Sequence, residues 1–253
     1  MRYAIISDIH GNLQALHAVF KHIDEQTISC IVCLGDIVGY GADFEACLDL
    51  VADRCGIVLC GNHDEAVLHG PIDFNPVARD VIHYTRTAMK PGLLPRSGKR
   101  SRWGFLKSLK KEYKEGIFAF YHGSPRDPVK EYIMRTDVVF APDKLRDIFI
   151  RIEKICFVGH THQPGVIEED QNFHFLEPKH INHQYEIGQK KAVINVGSVG
   201  QPRDGDNRAS FVIVDDKKVC FIRVPYDFQE TMRRIEENEF IHNNCAARLA
   251  IGK

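Results

Sequence analysis

The stretch "YAIISDIHGNLQALHAVFKHIDEQ" (residues 3–26) decides the fold class of this chain. Residues 3–7 form a short apolar run, and residues 12–26 carry apolar side chains at the spacing of one helix face, beginning with Leu13 and Leu16. An apolar run followed at once by a helical period predicts a buried strand that turns into an amphipathic helix.

The same alternation continues along the chain. Further strands are predicted at 30–35, 56–61, 116–123, 154–160, 192–198, 209–215 and 218–226, with helices at 43–53 and near 142–152. Strands joined by crossover helices pair in parallel and build a layered α/β core. We expect a single domain over 1–253, with a helical insertion at about 67–115 and a helical tail from about 227.

Composition narrows the function classes. The formal net charge is -1, so binding to nucleic acid is not implied by charge. No apolar run approaches the ~20 residues of a membrane span, and the first apolar run is too short for a signal peptide, so we expect a cytoplasmic protein. Most of the eight cysteines lie in apolar runs and are predicted to be buried thiols. The spacing of Cys30 and Cys33 also fits a redox or zinc motif, but a strand would direct the two side chains to opposite faces.

Polar side chains follow five of the predicted strands. They are Asp8 and His10 after the first, Asp36 after the second, Asn62, His63 and Asp64 after the third, His122 after 116–121, and His160 and His162 after 154–158. In open α/β sheets the carboxyl ends of the strands form the crevice in which ligands bind. Any one of these residues is equally explained as a helix cap or turn residue, but five strand ends with the same chemistry predict one shared site.

The residue types in this group indicate metal binding. Asp8 and His10, and likewise His160 and His162, are two residues apart, so in extended chain both members of a pair would point the same way. Imidazole and carboxylate without thiolate suit manganese, iron, zinc, nickel or cobalt. These residues exceed the need of one ion, which predicts two ions about 3.5–4 Å apart, an arrangement used to hydrolyse phosphate esters.

Five blocks in this order resemble a known family. The blocks are "DIH" (8–10), "GDIVGYG" (35–41), "GNHD" (61–64), "HG" (122–123) and "GHTH" (159–162). Together they resemble the calcineurin-like metallophosphoesterase superfamily. The stretches "YHGSPRDP" (121–128) and "INVGSVGQPRDGDNRASFVIVD" (194–215) are similar to its small bacterial and archaeal branch of phosphodiesterases and phosphatases. The resemblance implies a four-layer α-β-β-α sandwich, in which two mixed β-sheets are flanked by helices.

The resemblance also implies roles for the motif residues. Asp8, His10 and His162 would hold one divalent ion, Asn62, His122 and His160 a second, and Asp36 would bridge the two. A bridging hydroxide would attack phosphorus in line, and His63 would act as general acid at the leaving group. Manganese is the ion expected to support activity.

Two departures from the family pattern affect the function. In the serine/threonine protein phosphatase branch, an aspartate that orients the acid histidine and an arginine that holds phosphate occupy positions that are Gly39 and Gly41 in this chain. This disfavours a protein phosphatase and leaves open what orients His63. Arg203 is a candidate phosphate contact or, alternatively, the partner of Asp204 or Asp206 in an ion pair. Asn12 and Tyr40, each close to a ligand block, are further candidate substrate contacts.

The expected function is a dinuclear metal-dependent phosphoesterase acting on a small phosphodiester or nucleotide-type ester, with dinucleoside polyphosphates among the substrates considered. The alternatives are a protein phosphatase, a nuclease or a catalytically silent, metal-stabilised scaffold, and the retained His63 argues against the last. The basic segment 96–114 fits either a cap over an anionic substrate or, preferably, an amphipathic helix with Phe105, Leu106, Leu109 and Tyr113 inward. The C-terminal tail fits packing within the chain or against a partner, so no oligomeric state is predicted.

Overall fold

The strands of the chain form two mixed six-stranded sheets. The computed structural model describes residues 1–92 and 97–253. In these residues the strands are β1 (Tyr3–Ile6), β2 (Cys30–Cys33), β3 (Ile57–Val58), β4 (Glu112–Glu115), β5 (Phe118–Tyr121), β6 (Ile155–Val158), β7 (Gly165–Glu169), β8 (Phe173–Leu176), β9 (Gln184–Glu186), β10 (Ala192–Asn195), β11 (Ala209–Val214) and β12 (Lys218–Val224).

Nine α-helices accompany the two sheets in the described residues. They are α1 (Leu13–Asp24), α2 (Phe44–Arg54), α3 (Asn62–His69), α4 (Pro76–Met89), α5 (Ser97–Ser108), α6 (Asp137–Phe140), α7 (Pro142–Ile150), α8 (Phe228–Glu236) and α9 (Asn243–Ile251), with a 3-10 turn at Pro178–Ile181. Among the residues that the structure describes, no helix has the length and apolar character needed to cross a membrane.

The two sheets have the same plan. The first has the order β3-β2-β1-β11-β12-β9 and the second β4-β5-β6-β10-β7-β8. In each, three strands run parallel, β1 with β2 and β3, and β5 with β6 and β10, and the remaining pairs are antiparallel. The parallel strands bring the residues that follow them to one edge of each sheet.

Three apolar layers hold this arrangement together. Side chains of both sheets, such as Ile5 and Phe157, meet in a buried layer between them. Helices α1 and α2 pack on the outer face of the first sheet, and α7 packs on the outer face of the second. The predicted four-layer sandwich of two mixed sheets between helices is therefore confirmed.

Two local features differ from or refine the sequence-based predictions. Residues 112–115, predicted to continue the basic helix, instead form β4, where Tyr113 pairs with Phe120 across a tight turn at Gly116, whose φ is +56°. In the described part of the basic segment, Leu106 is buried while Phe105 and Leu109 are partly buried, which favours the amphipathic helix over 97–108. Arg96 and the other residues of 93–96 lie outside the described residues.

Cys30 and Cys33, the first and last residues of β2, point to opposite faces of the sheet, as expected in a strand. Cys33 packs beneath α1 and α2, whereas Cys30 contacts the layer between the sheets, so the two thiols lie on opposite faces. All eight cysteines are free thiols, and each is buried or partly buried. Burial raises the pKa of both Cys30 and Cys33, which disfavours a thiolate redox pair.

Candidate metal centre

Left-handed backbone turns direct the polar side chains at the strand ends. The φ angles are 55° at Asp8, 49° at His10, 54° at Asp36, 67° at His160 and 60° at His162. Non-glycine residues seldom adopt this conformation, and it is concentrated at functional sites. The expectation of extended chain at these motifs is thus wrong, because each chain segment curls back at the end of its strand.

The first of two clusters consists of Asp8, His10 and His162. The Nε2 atoms of the two histidines are 3.2 Å apart. Asp8 Oδ1 lies 3.1 Å from His162 Nε2 and 3.8 Å from His10 Nε2. All three side chains are buried.

The proton positions in this cluster follow from the second nitrogen of each ring. His10 Nδ1 lies 3.1 Å from the carbonyl oxygen of Val38, and His162 Nδ1 lies 2.6 Å from that of Gln201. A carbonyl oxygen only accepts, so each Nδ1 carries the proton and donates it. In the neutral rings both Nε2 atoms are therefore unprotonated, and their lone pairs face each other and a carboxylate.

The second cluster consists of Asn62, His122 and His160. His122 Nε2 lies 3.1 Å from Asn62 Oδ1 and 3.2 Å from His160 Nδ1. The other nitrogen of His160 donates to the carbonyl oxygen of Lys130 at 3.1 Å, which leaves Nδ1 as an acceptor. His160 thus joins a different cluster from His162, two residues later.

Asp36 lies between the two clusters. Its Oδ2 is 3.7 Å from His10 Nε2 and 3.4 Å from His122 Nε2. Its Oδ1 accepts a hydrogen bond from the backbone N–H of His63 at 2.8 Å, which fixes the carboxylate orientation. One oxygen of Asp36 is therefore shared by both groups of ligand atoms.

Burial and the local charges set the protonation states. Burial lowers the pKa of His10 and His162, and it lowers that of His160 to about 3. Burial would raise the pKa of Asp36, but the charge of His122 outweighs this and holds it well below its usual range. Conversely, burial would lower the pKa of His122, but Asp36 raises it to about 9.

These donor atoms fit divalent cations. The atoms of Asp8, His10 and His162 lie within 4.8 Å of one another, as do those of Asp36, His122 and His160. Asp8 Oδ1 is buried without a hydrogen-bond partner among the described residues. Converging lone pairs and an unpartnered buried carboxylate oxygen repel one another unless a cation lies between them. The residues present therefore suit metal binding.

His63 lies beside the first cluster, with its ring held by aromatic contacts. Ring centroids are 4.8 Å away at His10, 4.8 Å at Tyr40 and 5.1 Å at Phe74. A Cβ atom at Gly39 would overlap His63 Nδ1. Because Gly39 has no side chain, the His63 ring has room at this position. The rings of His10, Tyr40 and Phe74 fix the orientation of His63, which the sequence left open. Burial lowers the pKa of His63 to about 4.

The carboxylate of Asp64 holds the backbone around Asp36 and Gly61 in place, a role that sequence reasoning missed. Its carboxylate accepts hydrogen bonds from the backbone N–H groups of Asp36 (2.8 Å), Ile37 (3.0 Å), Val38 (3.3 Å) and Gly61 (3.0 Å). Burial, with Asp36 adding to it, raises the pKa of Asp64 to about 7. The signal was present in "GNHD", whose last residue follows the candidate acid directly.

Of the three predicted substrate contacts, Arg203 and Tyr40 lie together beside the site, since the Tyr40 ring contacts His10 and His63. Arg203 Nη2 donates to Gln201 Oε1 at 2.7 Å, and its guanidinium is 5.8 Å from the centroid of the Tyr40 ring. Within 1–92 and 97–253, Arg203 has no carboxylate partner; Asp204 pairs with Arg223, and Asp206 with Arg208 and Arg223. The alternative ion pair for Arg203 is therefore wrong.

Asn12 does not face the site. Its side chain caps α1 by accepting from Ala15 N–H at 3.1 Å and also accepts from the Thr231 hydroxyl at 3.0 Å. Its amide donates to the carbonyl oxygen of Gly200 and to the Tyr226 hydroxyl. All four hydrogen-bonding positions of the side chain are used, so the predicted substrate contact is replaced by a capping role.

Tyr132 forms part of the rim of the site, and no sequence signal singled it out. Its ring stacks on His160 with centroids 3.6 Å apart and an interplanar angle of 18°. The residue is 45% exposed. An aromatic face therefore covers one candidate ligand while remaining open to solvent.

The fold and this donor set together define a metallophosphoesterase, a hydrolase acting on phosphoric esters. The chain belongs to the calcineurin-like phosphoesterase superfamily, whose domain model matches residues 1–218. It is 39% identical over 244 residues to an uncharacterized protein of Methanocaldococcus jannaschii, a match that covers 93% of this chain and 92% of the relative.

Two solved structures are also similar. A metallophosphoesterase from Sphaerobacter thermophilus is 36% identical, with a TM-score of 0.83 and 100% of both chains covered. A hypothetical protein from Pyrococcus horikoshii is 19% identical, with a TM-score of 0.76 over 100% of this chain and 98% of that one. The second likeness concerns the fold alone.

Proposed function

We propose that the chain is a dinuclear metal-dependent phosphoesterase that hydrolyses small phosphodiesters or nucleotide-type esters by in-line attack of water on phosphorus. One observation carries the proposal. The Oδ2 atom of Asp36 lies between two separate clusters of ligand atoms, at 3.7 Å from His10 Nε2 and 3.4 Å from His122 Nε2. A carboxylate shared by two such clusters suits two ions better than one.

The proposed ligand sets follow the two clusters. Asp8, His10 and His162 would hold one ion, Asn62, His122 and His160 the other, with Asp36 shared. When bound, two divalent ions polarise phosphoryl oxygens and make water acidic enough to attack at neutral pH, so no protein base is needed. Manganese is the ion we propose for activity, because carboxylate and imidazole ligands accept it.

His63 is proposed to protonate the leaving group. Burial keeps the ring neutral at pH 7, since its pKa is lowered to about 4. An acid role requires a protonated ring, and the negative charge of a bound phosphate ester would raise this pKa. The aromatic contacts from Tyr40 and Phe74 hold the ring in one orientation while it donates.

Arg203 is proposed to bind the phosphoryl oxygens. Its guanidinium has no carboxylate to neutralise it in the described part of the chain and is aimed by Gln201. Its charge contributes to lowering the pKa of His63 and of His162, which places it near the first cluster. A guanidinium presents paired N–H donors that match phosphate oxygens.

We also propose a cytoplasmic location. All eight cysteines are free thiols, although Cys55 lies near both Cys30 and Cys33. Unpaired thiols are usual in reducing compartments.

Hydrolysis of two model esters tests the proposed function. The manganese-loaded full chain should release p-nitrophenol from bis-p-nitrophenyl phosphate or p-nitrophenyl phosphate, with two ions bound per chain. Asp36→Asn should lose both the second ion and turnover, whereas Asp49→Asn, a change on the surface of α2 at a residue paired with Arg102, should keep both. Absence of turnover by the unmodified chain with two ions bound would overturn the proposal.

A further inference from the structure

A cavity of about 490 Å³ opens next to the metal centre. Residues of β8 and β12 and of the segments 177–183 and 203–206 surround it. Its lining includes Arg135, Phe175, Pro178, Arg203, Phe221 and Arg223. The volume falls within the range of pockets that bind small organic ligands.

The chain connects this cavity directly to the candidate ligands. Gln163, which lines the cavity, follows His162 and donates from Nε2 to the carbonyl oxygen of Arg203 at 3.3 Å. The backbone N–H of Arg203 donates to the carbonyl oxygen of His162 at 3.3 Å. The guanidinium of Arg203 then reaches toward Tyr40, whose ring contacts His10 and His63. Arg203 therefore stands between the cavity and the metal centre.

The cavity wall combines flat apolar surface with an excess of positive charge, because five basic side chains and three acidic ones line it. The ring of Phe175 rests on Gly165, where even a Cβ would clash with it, and remains partly exposed toward the cavity. Arg223 is neutralised by Asp204. Arg135 lies near Glu177, which pairs with Lys179, and Arg203 has no carboxylate within ion-pair distance in residues 1–92 and 97–253. Aromatic rings stack on such apolar faces, and guanidinium groups bind the oxygens of phosphates and bases.

We infer that this cavity is a subsite for the nucleoside part of a nucleotide ester whose phosphate lies at the metal centre. The inference rests on the proposed function and specifies its substrate class. The base packs against Phe175, Arg135 binds its polar edge, and Arg203 contacts the phosphate on the side of the metal centre. A simple alkyl ester would leave the cavity empty and bind more weakly.

Calorimetry with two non-hydrolysable anions tests the subsite on the manganese-loaded full chain. The phosphonate analogue of AMP and methylphosphonate share the same head group and differ by the nucleoside. Because stacking of a base on an aromatic ring strengthens binding about tenfold or more, the nucleoside phosphonate should bind at least about tenfold more tightly. Arg135→Glu and, separately, Phe175→Ala should bring this ratio close to one without changing the methylphosphonate affinity.

The control is Arg146→Glu, which reverses an exposed arginine paired with Asp143 on α7 and should keep the ratio of the unmodified chain. Equal affinity of the unmodified chain for both anions, or an unchanged ratio in both cavity variants, would overturn the subsite. Different results would overturn the subsite and the proposed function. A nucleoside preference without ester hydrolysis would leave a nucleotide-binding site and remove the hydrolytic role, whereas hydrolysis without the preference would remove the subsite alone.

Discussion

Replacing Gly39 with alanine tests whether an empty space positions the candidate acid. The added Cβ would overlap Nδ1 of His63, and it would lie 3.1 Å from Cγ of the same ring. Non-bonded carbon atoms keep about 3.5–4.0 Å from their neighbours, so the imidazole has to move by about 1 Å. The buried rings of His10 and Tyr40 and the partly buried ring of Phe74 limit the directions in which it can go.

A displacement of this size has a predictable cost in rate. Misplacing a catalytic group by about 1 Å lowers turnover on the order of 10²-fold. Complete loss of a general acid costs about 10²–10⁴-fold. Gly39→Ala should therefore reduce kcat toward the value of His63→Asn, and adding Gly39→Ala to His63→Asn should change kcat by less than about threefold, because the clash has lost its target.

Gly70→Ala is the matched control. Its φ of +108° is close to the +98° of Gly39, but an added Cβ at Gly70 meets nothing within 4 Å. Both variants should lose about 1–3 kcal/mol of unfolding free energy from the strained φ, measured by urea denaturation. Only Gly39→Ala should lose turnover of bis-p-nitrophenyl phosphate.

Two results would refute this reasoning. Full turnover by Gly39→Ala would mean that the ring has room to move or that His63 does not take part. Loss of bound manganese in Gly39→Ala, measured by elemental analysis, would mean that the clash distorts the ligands and not the acid.

Four further predictions concern the same site. His63→Asn should lower kcat by about 10²–10⁴-fold while manganese content stays at two ions per chain; loss of the ions would contradict its role as acid. Chelation should abolish turnover and lower the melting temperature, since ligand at 100-fold above Kd stabilises by about 2.7 kcal/mol, and an unchanged melting temperature would argue against a structural contribution of the ions. In the folded, metal-free chain the pKa of His63 is lowered from 6.5 to about 4. As the pH falls below 6.5, the unfolded chain takes up this proton before the folded chain does, so the unfolding free energy is highest above pH 6.5 and decreases toward pH 4. Urea titrations at pH 7 and 5.5 should therefore show a fall in unfolding free energy that is about 1 kcal/mol smaller in His63→Asn. Asp64→Asn should lower the unfolding free energy by about 1–3 kcal/mol, because an amide has only one oxygen for the four N–H groups that the carboxylate accepts; an unchanged midpoint would show that water replaces them.

The sequence was sufficient for the architecture and for the convergence of the strand ends. Strand, turn and helix follow one another in a short-range pattern, and parallel strands bring their carboxyl ends together whatever the details of the loops. The side chains after β1, β2, β5 and β6, and those at the start of α3 after β3, do lie in two adjoining clusters.

Other features depend on contacts that no local pattern encodes. Left-handed turns at Asp8 and His160 are fixed by hydrogen bonds such as that from His160 N–H to Asp8 Oδ2, which joins residues of the two sheets. Asn12 was interpreted as a substrate contact because it follows the first ligand block, but α1 needs it as a cap. Tyr113 was placed on a helix by its spacing, yet pairing with Phe120 decides its conformation.

The position of β1 also has a consequence for the order in which the chain folds. This first strand is central in its sheet and pairs with β11, with Tyr3 opposite Val214. During synthesis, β1 and β2 emerge early, but β11, the antiparallel neighbour of β1, is complete only when residue 214 has left the ribosome. Pairing over such sequence separation is slow and exposes apolar strand edges meanwhile. Truncation before β11 should therefore yield an aggregating chain rather than a smaller folded one, although every proposed ligand precedes the cut.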